Sequence, residues 1–378
     1  MNRIHNLKFS NTSILITLFF TLMFLATFNS LLPSLKIVGF SSVFLTLTLS
    51  TFILFYYFVS TKEMYRIHFN IFIPTFLFLA VMVIGIYINR STAAFESVFQ
   101  FFTVICLFMF FSLIEWNKTR IKLAKLFSLG FLFLLPLIAN LGHIGAFMIL
   151  PIFFILLDRK KSILNIAFLA TSLYFIYLAE MRAVFILLGA ALFTYMFWKV
   201  ITKTKFRMTL FFTGLMTILI GFIFVYPKLI YWSKFPIIES YVYQYTGKSL
   251  MSGRNRLWDT LTDIVNQKPF LGHGTGIIPY NVADTTLSAH NLYLQTALQN
   301  GWIGLILLIL IFFVIWISYF RSKLEYATRL SASFFIGILV YQSFEIVLTQ
   351  NKMDTALFFW LIISVGISYS IYKKQPVT

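Results

Sequence analysis

Long apolar runs follow one another along almost the whole chain, and this succession limits the folds open to it. A helix that crosses a bilayer needs about 20 mostly apolar residues, and runs of roughly that length recur twelve times. They lie at 12–32, 37–60, 69–88, 95–115, 124–140, 143–157, 163–181, 183–198, 208–227, 302–320, 330–349 and 355–372. Only 11% of the 378 residues are charged, whereas a soluble domain carries about 25%. The sequence therefore predicts an all-α, polytopic membrane protein with about 12 transmembrane helices.

The basic residues predict how these helices are oriented. With the N-terminus inside, 20 of the 30 lysines and arginines fall in inner segments, four in short outer connections and six in 228–291. Such a bias follows the positive-inside rule and places both termini in the cytoplasm. The net charge of +18 is thus explained by topology, and we expect no nucleic-acid partner. The first run lacks a small-residue cleavage site and is interpreted as a membrane helix, not a removed signal peptide.

One long polar stretch interrupts the apolar pattern. We divide the chain into nine transmembrane helices over 1–227, a large extracytoplasmic loop over 228–291, and three further helices over 292–378. A loop of this length without a function would be unusual. We therefore expect the catalytic motif, and short helices that carry it, within 228–291.

Within this loop, 255–267 has the spacing of an amphipathic helix. Five apolar residues fall on one face: Leu257, Trp258, Leu261, Ile264 and Val265. Pro269 should end the helix, and a helix bearing a tryptophan outside a membrane is expected to lie at the interface. Arg254 and Arg256 stand at its start, where free backbone N–H groups also favour anions. Two guanidinium groups there suit a diphosphate, although binding to lipid headgroups or carboxylates is an open alternative.

Two further features follow in the loop, each with a structural alternative. Gly272, Gly274 and Gly276 permit a tight turn that brings backbone close to a ligand, or simply join two helices. His290, at the start of the tenth run, has a side chain suited to general-base catalysis near neutral pH, or is an interfacial histidine with a satisfied hydrogen bond. The outer histidines do not share metal-ligand spacing, so we predict no metal site.

Two charged residues stand in or beside apolar runs. Arg182 lies between the seventh and eighth runs, and Glu345 lies inside the eleventh. Charge at such positions is costly and points to a function. For Arg182 the alternatives are snorkelling at a helix end or pairing with Glu180. Glu345 is a possible partner for one of the arginines.

The order of these motifs resembles that of the O-antigen ligase and polymerase superfamily of bacterial membrane glycosyltransferases. The matching residues are Gly253-Arg254, Trp258, Pro269-Phe270-Leu271-Gly272-x-Gly274-x-Gly276, His290-Asn291-x-Tyr293-Leu294, Gly301-Trp302-Ile303-Gly304 and Met181-Arg182-Ala183. The resemblance implies a catalytic site on the outer face of the cytoplasmic membrane. There Arg182 and Arg254 would neutralise a diphosphate and His290 would deprotonate the acceptor hydroxyl. Arg256, Trp258, the three glycines and Asn291 would contact the diphosphate or shape the loop.

The resemblance also implies the substrates. Members transfer a glycan from a polyprenyl diphosphate carrier to a sugar hydroxyl, with no cofactor, because the lipid diphosphate already activates the sugar. A polymerase, which extends a lipid-linked glycan, is the preferred expectation. A ligase, which moves the finished glycan to lipid A-core or another acceptor, is the alternative. Other expected partners are a chain-length regulator and envelope-glycan assembly proteins. A transporter of lipid-linked sugars is disfavoured because its polar groups would lie near the midplane, in matching halves.

Overall fold

The fold is a bundle of α-helices. The computed structural model describes residues 12–61, 66–134, 144–160, 162–247, 249–251, 253–350 and 352–372, and no strand occurs among them. The helices are α1 (Thr12–Ala26), α2 (Phe28–Leu31), α3 (Lys36–Thr61), α4 (Arg66–Asn89), α5 (Thr92–Ser112), α6 (Lys118–Leu134), α7 (Ile144–Phe147), α8 (Ile149–Asp158), α9 (Ile163–Leu178), α10 (Arg182–Ile201), α11 (Lys205–Val225), α12 (Phe235–Thr246), α13 (Arg254–Gln267), α14 (Leu292–Ser318), α15 (Tyr326–Tyr341) and α16 (Met353–Tyr372).

These helices confirm the predicted all-α, polytopic membrane fold. Within the described ranges, eight spans are long and apolar enough to cross a membrane: α1–α2, α3, α4, α5, α10, α11, α14 and α16. The apolar segments α7–α8, α9 and α15 are shorter. A helix lies at each of the twelve predicted positions, although the end of the fifth, 135–140, falls outside the described residues.

The centre of the bundle is α16. Its span is 89% buried, against 28–67% for the other seven candidate spans. It packs on α5 and α15, and α15 packs on α10. Small residues allow these close approaches, as is usual between membrane helices. Ser331 on α15 donates a hydrogen bond of 2.6 Å to the carbonyl of Ile362, and its hydroxyl accepts one of 3.1 Å from the amide of Gly366 on α16.

The predicted helix of the large loop is α13, and it begins one residue before the predicted start. All five of the apolar residues assigned to one face are buried, because that face packs against α11, α14 and the 3₁₀ segment Tyr226–Tyr231. The apolar face of α13 is therefore covered by protein, and the position of the helix at the membrane interface stays a prediction. The loop also contains α12, a second short helix of the kind expected there, although no position for it was predicted.

The tenth span differs most from its prediction. The helix α14 begins at Leu292, ten residues before the predicted start, and breaks at Gly301, where φ is 65° and ψ is −171°. The break separates a fully buried segment, 292–300, from the longer apolar segment that follows. We call the end of the bundle that carries α12, α13 and the start of α14 the loop end.

Candidate functional site

The turn before α13 is held by side chains from two other helical segments. The guanidinium of Arg182, at the start of α10, donates a 2.9 Å hydrogen bond from Nη2 to the carbonyl of Ser249. The hydroxyl of Tyr226, just after α11, lies 2.9 Å from the carbonyl of Leu250 and 3.0 Å from that of Met251. Residues far apart in the sequence thus fix the backbone that leads into α13.

Arg254 is the first residue of α13 and lies beside this turn. It follows Gly253, which has a φ of 75°, and its amide donates a 2.9 Å hydrogen bond to the carbonyl of Met251. The charges of both Arg254 and Arg182 act on the hydroxyl of Tyr226. The structure therefore brings together the two arginines that the sequence analysis assigned to the diphosphate.

A carboxylate on α12 lies near the two arginines. Glu239 accepts a 2.9 Å hydrogen bond from the amide of Leu250, and its charge also acts on Tyr226. Glu239 therefore helps to hold the turn before α13 and offsets part of the positive charge of the two guanidinium groups.

Trp258 links α13 to the segment before α14. It lies one turn after Arg254, is fully buried, and donates a 2.8 Å hydrogen bond from Nε1 to the carbonyl of Ala289. Its ring packs on Tyr226 with 4.8 Å between centroids. Ala289 directly precedes His290, so this hydrogen bond helps to hold the backbone next to the histidine. It has no exposed surface for a substrate.

Asn291, which directly follows His290, holds the same stretch of backbone. Its side-chain oxygen caps α14 by accepting a 3.0 Å hydrogen bond from the amide of Leu294, as an N-cap residue does. Its side-chain nitrogen donates a 3.2 Å hydrogen bond to the carbonyl of Ser343, in the segment after α15. This tie brings His290 next to that segment.

His290 faces a carboxylate across this junction. Its Nδ1 is 3.5 Å from Oε2 of Glu345, and Nζ of Lys352 is 3.1 Å from the same oxygen. Burial alone would raise the pKa of Glu345, but the contact with His290 and the charge of Lys352 outweigh it and lower the pKa to about 2. The histidine itself is partly exposed, with 32% of its side chain accessible. An ionised carboxylate at Nδ1 favours the tautomer that leaves Nε2 able to accept a proton.

The backbone at His290 is also unusual. Its φ is 47°, in the left-handed region that costs a residue with a side chain about 1–3 kcal/mol. The contacts of Trp258 and Asn291 on either side hold this conformation. Backbone strain of this kind is concentrated at functional sites.

Tyr341 lies near both Glu345, the partner of His290, and Arg254. Its hydroxyl is buried and has no hydrogen-bond partner among the described residues. The charges of Glu345 and Arg254 both act on it. His290, Glu345 and Arg254 thus belong to one cluster at the loop end, together with Arg182.

The glycine-rich segment has a structural task. The break in α14 leaves amides and carbonyls without helical partners. Pro269 and Phe270 supply carbonyls to the amides of Trp302 and Ile303, at 2.7 and 3.4 Å. In return, the amides of His273 and Gly274 donate to the carbonyls of Leu298 and Gln299, at 2.9 and 3.0 Å. We call this arrangement of 269–274 around the break in α14 the helix clamp.

The glycines allow this segment to lie flat on the bundle. Gly272, Gly274 and Gly276 have φ values of 70°, 109° and 80°. A Cβ on each would lie 2.5–2.6 Å from an atom of α14, α4 or α5, respectively, closer than side chains tolerate. The amide of Gly272 donates to Lys268 and that of Gly274 to Gln299, so neither amide is left to bind a phosphate. Packing explains these glycines, and their role in substrate binding stays a prediction.

Arg256 stands apart from the cluster. It is exposed on α13, and its guanidinium forms no ion pair within the part of the chain that the structure describes. Its predicted contact with a diphosphate also stays a prediction.

Some members of the cluster were not predicted from the sequence. Glu345, a possible partner for an arginine, pairs instead with His290 and Lys352. Tyr226, Glu239 and Tyr341 carry no motif and lie far from Arg254 in sequence, so their roles depend on packing that periodicity does not reveal.

A comparison with protein families identifies one match. A family model described as O-antigen ligase matches residues 167–309, a range that contains Arg182, Arg254 and His290 but ends before Glu345. The match confirms the resemblance inferred from the motifs. No curated protein matches the chain significantly.

Proposed function

From its confirmed resemblance to the O-antigen ligase and polymerase superfamily, we propose that this protein transfers a glycan from a polyprenyl diphosphate carrier to a sugar hydroxyl. The preferred acceptor is a second lipid-linked glycan, which makes the protein a polymerase of O-antigen or exopolysaccharide. The proposed location is the bacterial cytoplasmic membrane, with both termini cytoplasmic and the site on the outer face. The bias of basic residues towards the inner segments supports this orientation.

One observation carries the proposal. Arg182, Arg254 and His290, which are separated by up to 108 positions in the sequence, meet in a cluster connected by Tyr226, Trp258 and Tyr341. Two positive charges and a base held by a carboxylate are what a transfer from a diphosphate donor requires.

The proposed reaction moves one proton and exchanges one bond. Nε2 of His290 takes the proton of the acceptor hydroxyl, and the oxygen attacks the anomeric carbon of the donor sugar. The bond from that carbon to the diphosphate oxygen breaks, and the diphosphate leaves on its lipid. Arg182 and Arg254 neutralise the charge that develops on it, while Glu345 stabilises the protonated imidazole. The proposal uses neither a nucleotide nor a metal, because the donor is already activated and the arginines supply positive charge.

The second candidate is a ligase, the activity that the matched family's description names, although the match covers both activities. The donor chemistry would be the same, and the acceptor would be lipid A-core or another finished acceptor. The cluster contains only donor-side and base residues, so it fits both candidates.

Purified protein with a short lipid-linked glycan distinguishes them. Longer glycans that remain on the lipid carrier identify a polymerase, and glycan found on added lipid A-core identifies a ligase. If neither acceptor gains a glycosidic bond while the protein is folded, the enzymatic proposal is wrong. In cells, loss of a polymerase leaves single repeat units on the surface acceptor, whereas loss of a ligase leaves long chains on the carrier.

A further inference from the structure

A groove lies at the end of the bundle opposite to His290, between the start of α4, the start of α11 and the end of α14. Its volume is about 1250 Å³. Arg66, Lys205 and Arg321 line one end of it, and we call it the basic groove. None of its lining residues belongs to the cluster around His290.

The three cations of the groove form no ion pair with any residue that the structure describes. Arg66, Lys205 and Arg321 are all exposed, and no ion pair with a carboxylate is found for them in the described ranges. The ammonium of Lys205 lies 5.8 Å from the ring centroid of Phe320, which leaves its charge available to an anion. Three uncompensated charges at one end make this part of the groove attractive to a phosphate.

The remainder of the groove is mostly apolar, with Asn70 and Ser318 as its polar residues. Pro74, eight residues after Arg66, lines it on α4, and Leu310, eleven residues before Arg321, lines it on α14. At 1.5 Å per residue, the apolar wall extends about 12–16 Å from the charged end. Phe313 lies between these limits. The groove is thus positively charged at one end and mostly apolar along its length.

This division of charge matches one kind of ligand. A soluble anion would leave the apolar wall unfilled, and an uncharged lipid would leave the cations unpaired. A phospholipid with an anionic headgroup satisfies both. Basic pockets between membrane helices on the cytoplasmic side bind such headgroups, and the charge distribution predicts that this end of the bundle is cytoplasmic.

We propose that the basic groove binds an anionic phospholipid of the cytoplasmic leaflet. Its phosphate lies among Arg66, Lys205 and Arg321, and an acyl chain lies along Pro74, Phe313 and Leu310. The lipid would hold α4, α11 and α14 together. Because α14 also begins beside His290, this contact supports the helix that carries the site, at a distance from the chemistry.

The test compares two triple variants of the full-length protein in detergent. The groove variant is Arg66→Gln, Lys205→Gln and Arg321→Gln. The control is Lys118→Gln, Lys122→Gln and Lys199→Gln, which removes the same charge from other exposed positions on predicted inner segments. Phosphatidylglycerol and phosphatidylcholine with identical chains are added, and retained lipid is measured by native mass spectrometry.

The natural protein and the control should retain phosphatidylglycerol and gain thermal stability from it, and the groove variant should bind it at least roughly tenfold more weakly. Phosphatidylcholine should be retained by none of the three. Equal retention of phosphatidylglycerol by the groove variant and the control would overturn the proposal. So would equal retention of phosphatidylcholine, or displacement of the lipid by polyprenyl phosphate alone, which would assign the groove to the tail of the donor.

Discussion

The two ends of the molecule use basic residues in opposite ways. At the loop end, Arg182 donates to a backbone carbonyl and Arg254 begins a helix whose first turn is anchored. In the basic groove, Arg66, Lys205 and Arg321 are exposed and have no ion pair within the described residues. The first arrangement holds the guanidinium of Arg182 and the backbone of Arg254 in place, and the second leaves the cationic side chains exposed to a ligand.

This difference teaches how charge can be matched to a task. A charge that must stabilise a transition state acts best when it is oriented beforehand and cannot reorganise. A charge that holds a headgroup needs only proximity, and solvent-exposed contacts of this kind contribute little individually. Substitutions at the loop end should therefore have large effects on transfer, and those in the groove small ones.

The largest effect is expected for His290→Asn. Asparagine tolerates the positive φ of this position better than most residues but cannot act as a base, so transfer should fall by roughly 10²–10⁴-fold while the protein stays folded. Turnover of the lipid-linked donor measures the loss. His273→Asn is the control, because that side chain forms a 2.8 Å hydrogen bond with the carbonyl of Ile264 and lies outside the cluster. Full activity in the His290 variant would remove the histidine from the mechanism.

Two matched variants on α13 test whether the position of a positive charge matters. Arg254→Gln should lower transfer by roughly 10²–10³-fold, because the charge opposite the leaving diphosphate is lost. Arg256→Gln removes the same charge from an exposed position two residues away and should change transfer by only a few-fold. Similar losses in the two variants would show that the net charge of α13, not the position of Arg254, matters.

Glu345→Gln should have an intermediate effect. Removal of the carboxylate leaves His290 less well oriented, and we expect a loss of roughly 10–100-fold, as for other partners that orient a functional histidine. The loss should appear in kcat more than in KM, because the base is misoriented while Arg182 and Arg254 are unchanged. A purely structural role for Glu345 would instead lower the amount of folded protein and leave the activity per folded molecule unchanged.

The low pKa of Glu345 in the folded protein makes its contribution to stability depend on pH. It is lowered from its ordinary 4.5 to about 2, so the stabilisation from its contacts is complete above about pH 4.5. The stabilisation is lost as the pH falls from there towards 2. Denaturation curves of the natural protein and Glu345→Gln should therefore differ at pH 6 and converge as the pH approaches 2.

The smallest effect on transfer is expected for Gly272→Ala. A Cβ at this position would meet the backbone of α14 at 2.6 Å, so the helix clamp should lose roughly 1–3 kcal/mol of stability. Activity per folded molecule should stay within a few-fold. Gly214→Ala on α11, which meets no atom within 4 Å, is the control and should leave the melting temperature almost unchanged. If Gly272→Ala loses activity at an unchanged melting temperature, the glycine contacts substrate after all.

Much of the architecture was predictable because the bilayer imposes simple rules. The length of apolar runs locates the helices, and a period of 3.6 residues identified α13 and its five buried residues. These rules fail for a helix that is surrounded by protein and contains buried polar residues. Gln295 and Gln299 lie in the first segment of α14, but both donate to the carbonyl of Ile277, at 2.6 and 2.8 Å. Hydropathy counts such residues as exposed, and the start of α14 was therefore placed too late.

The site was predictable where a motif marks it. Arg254 and His290 stand in an ordered series, and the structure places both in one cluster. Their neighbours arise from tertiary contacts alone: α15 ends at Tyr341, and the chain turns so that Glu345 meets His290. No local pattern of the sequence encodes that turn. The role of the glycines was obscured for a similar reason, since the helix clamp joins two motifs about thirty residues apart.

The break in α14 at Gly301 also has a mechanical consequence. The part of the helix that adjoins His290 is fixed by protein contacts, whereas the longer part has exposed apolar surface along Ile303, Ile306 and Leu310. When a bilayer becomes thinner or thicker, membrane helices respond by tilting. The helix clamp holds residues on both sides of Gly301, so it should resist such a tilt and protect the geometry around His290 from changes in membrane thickness.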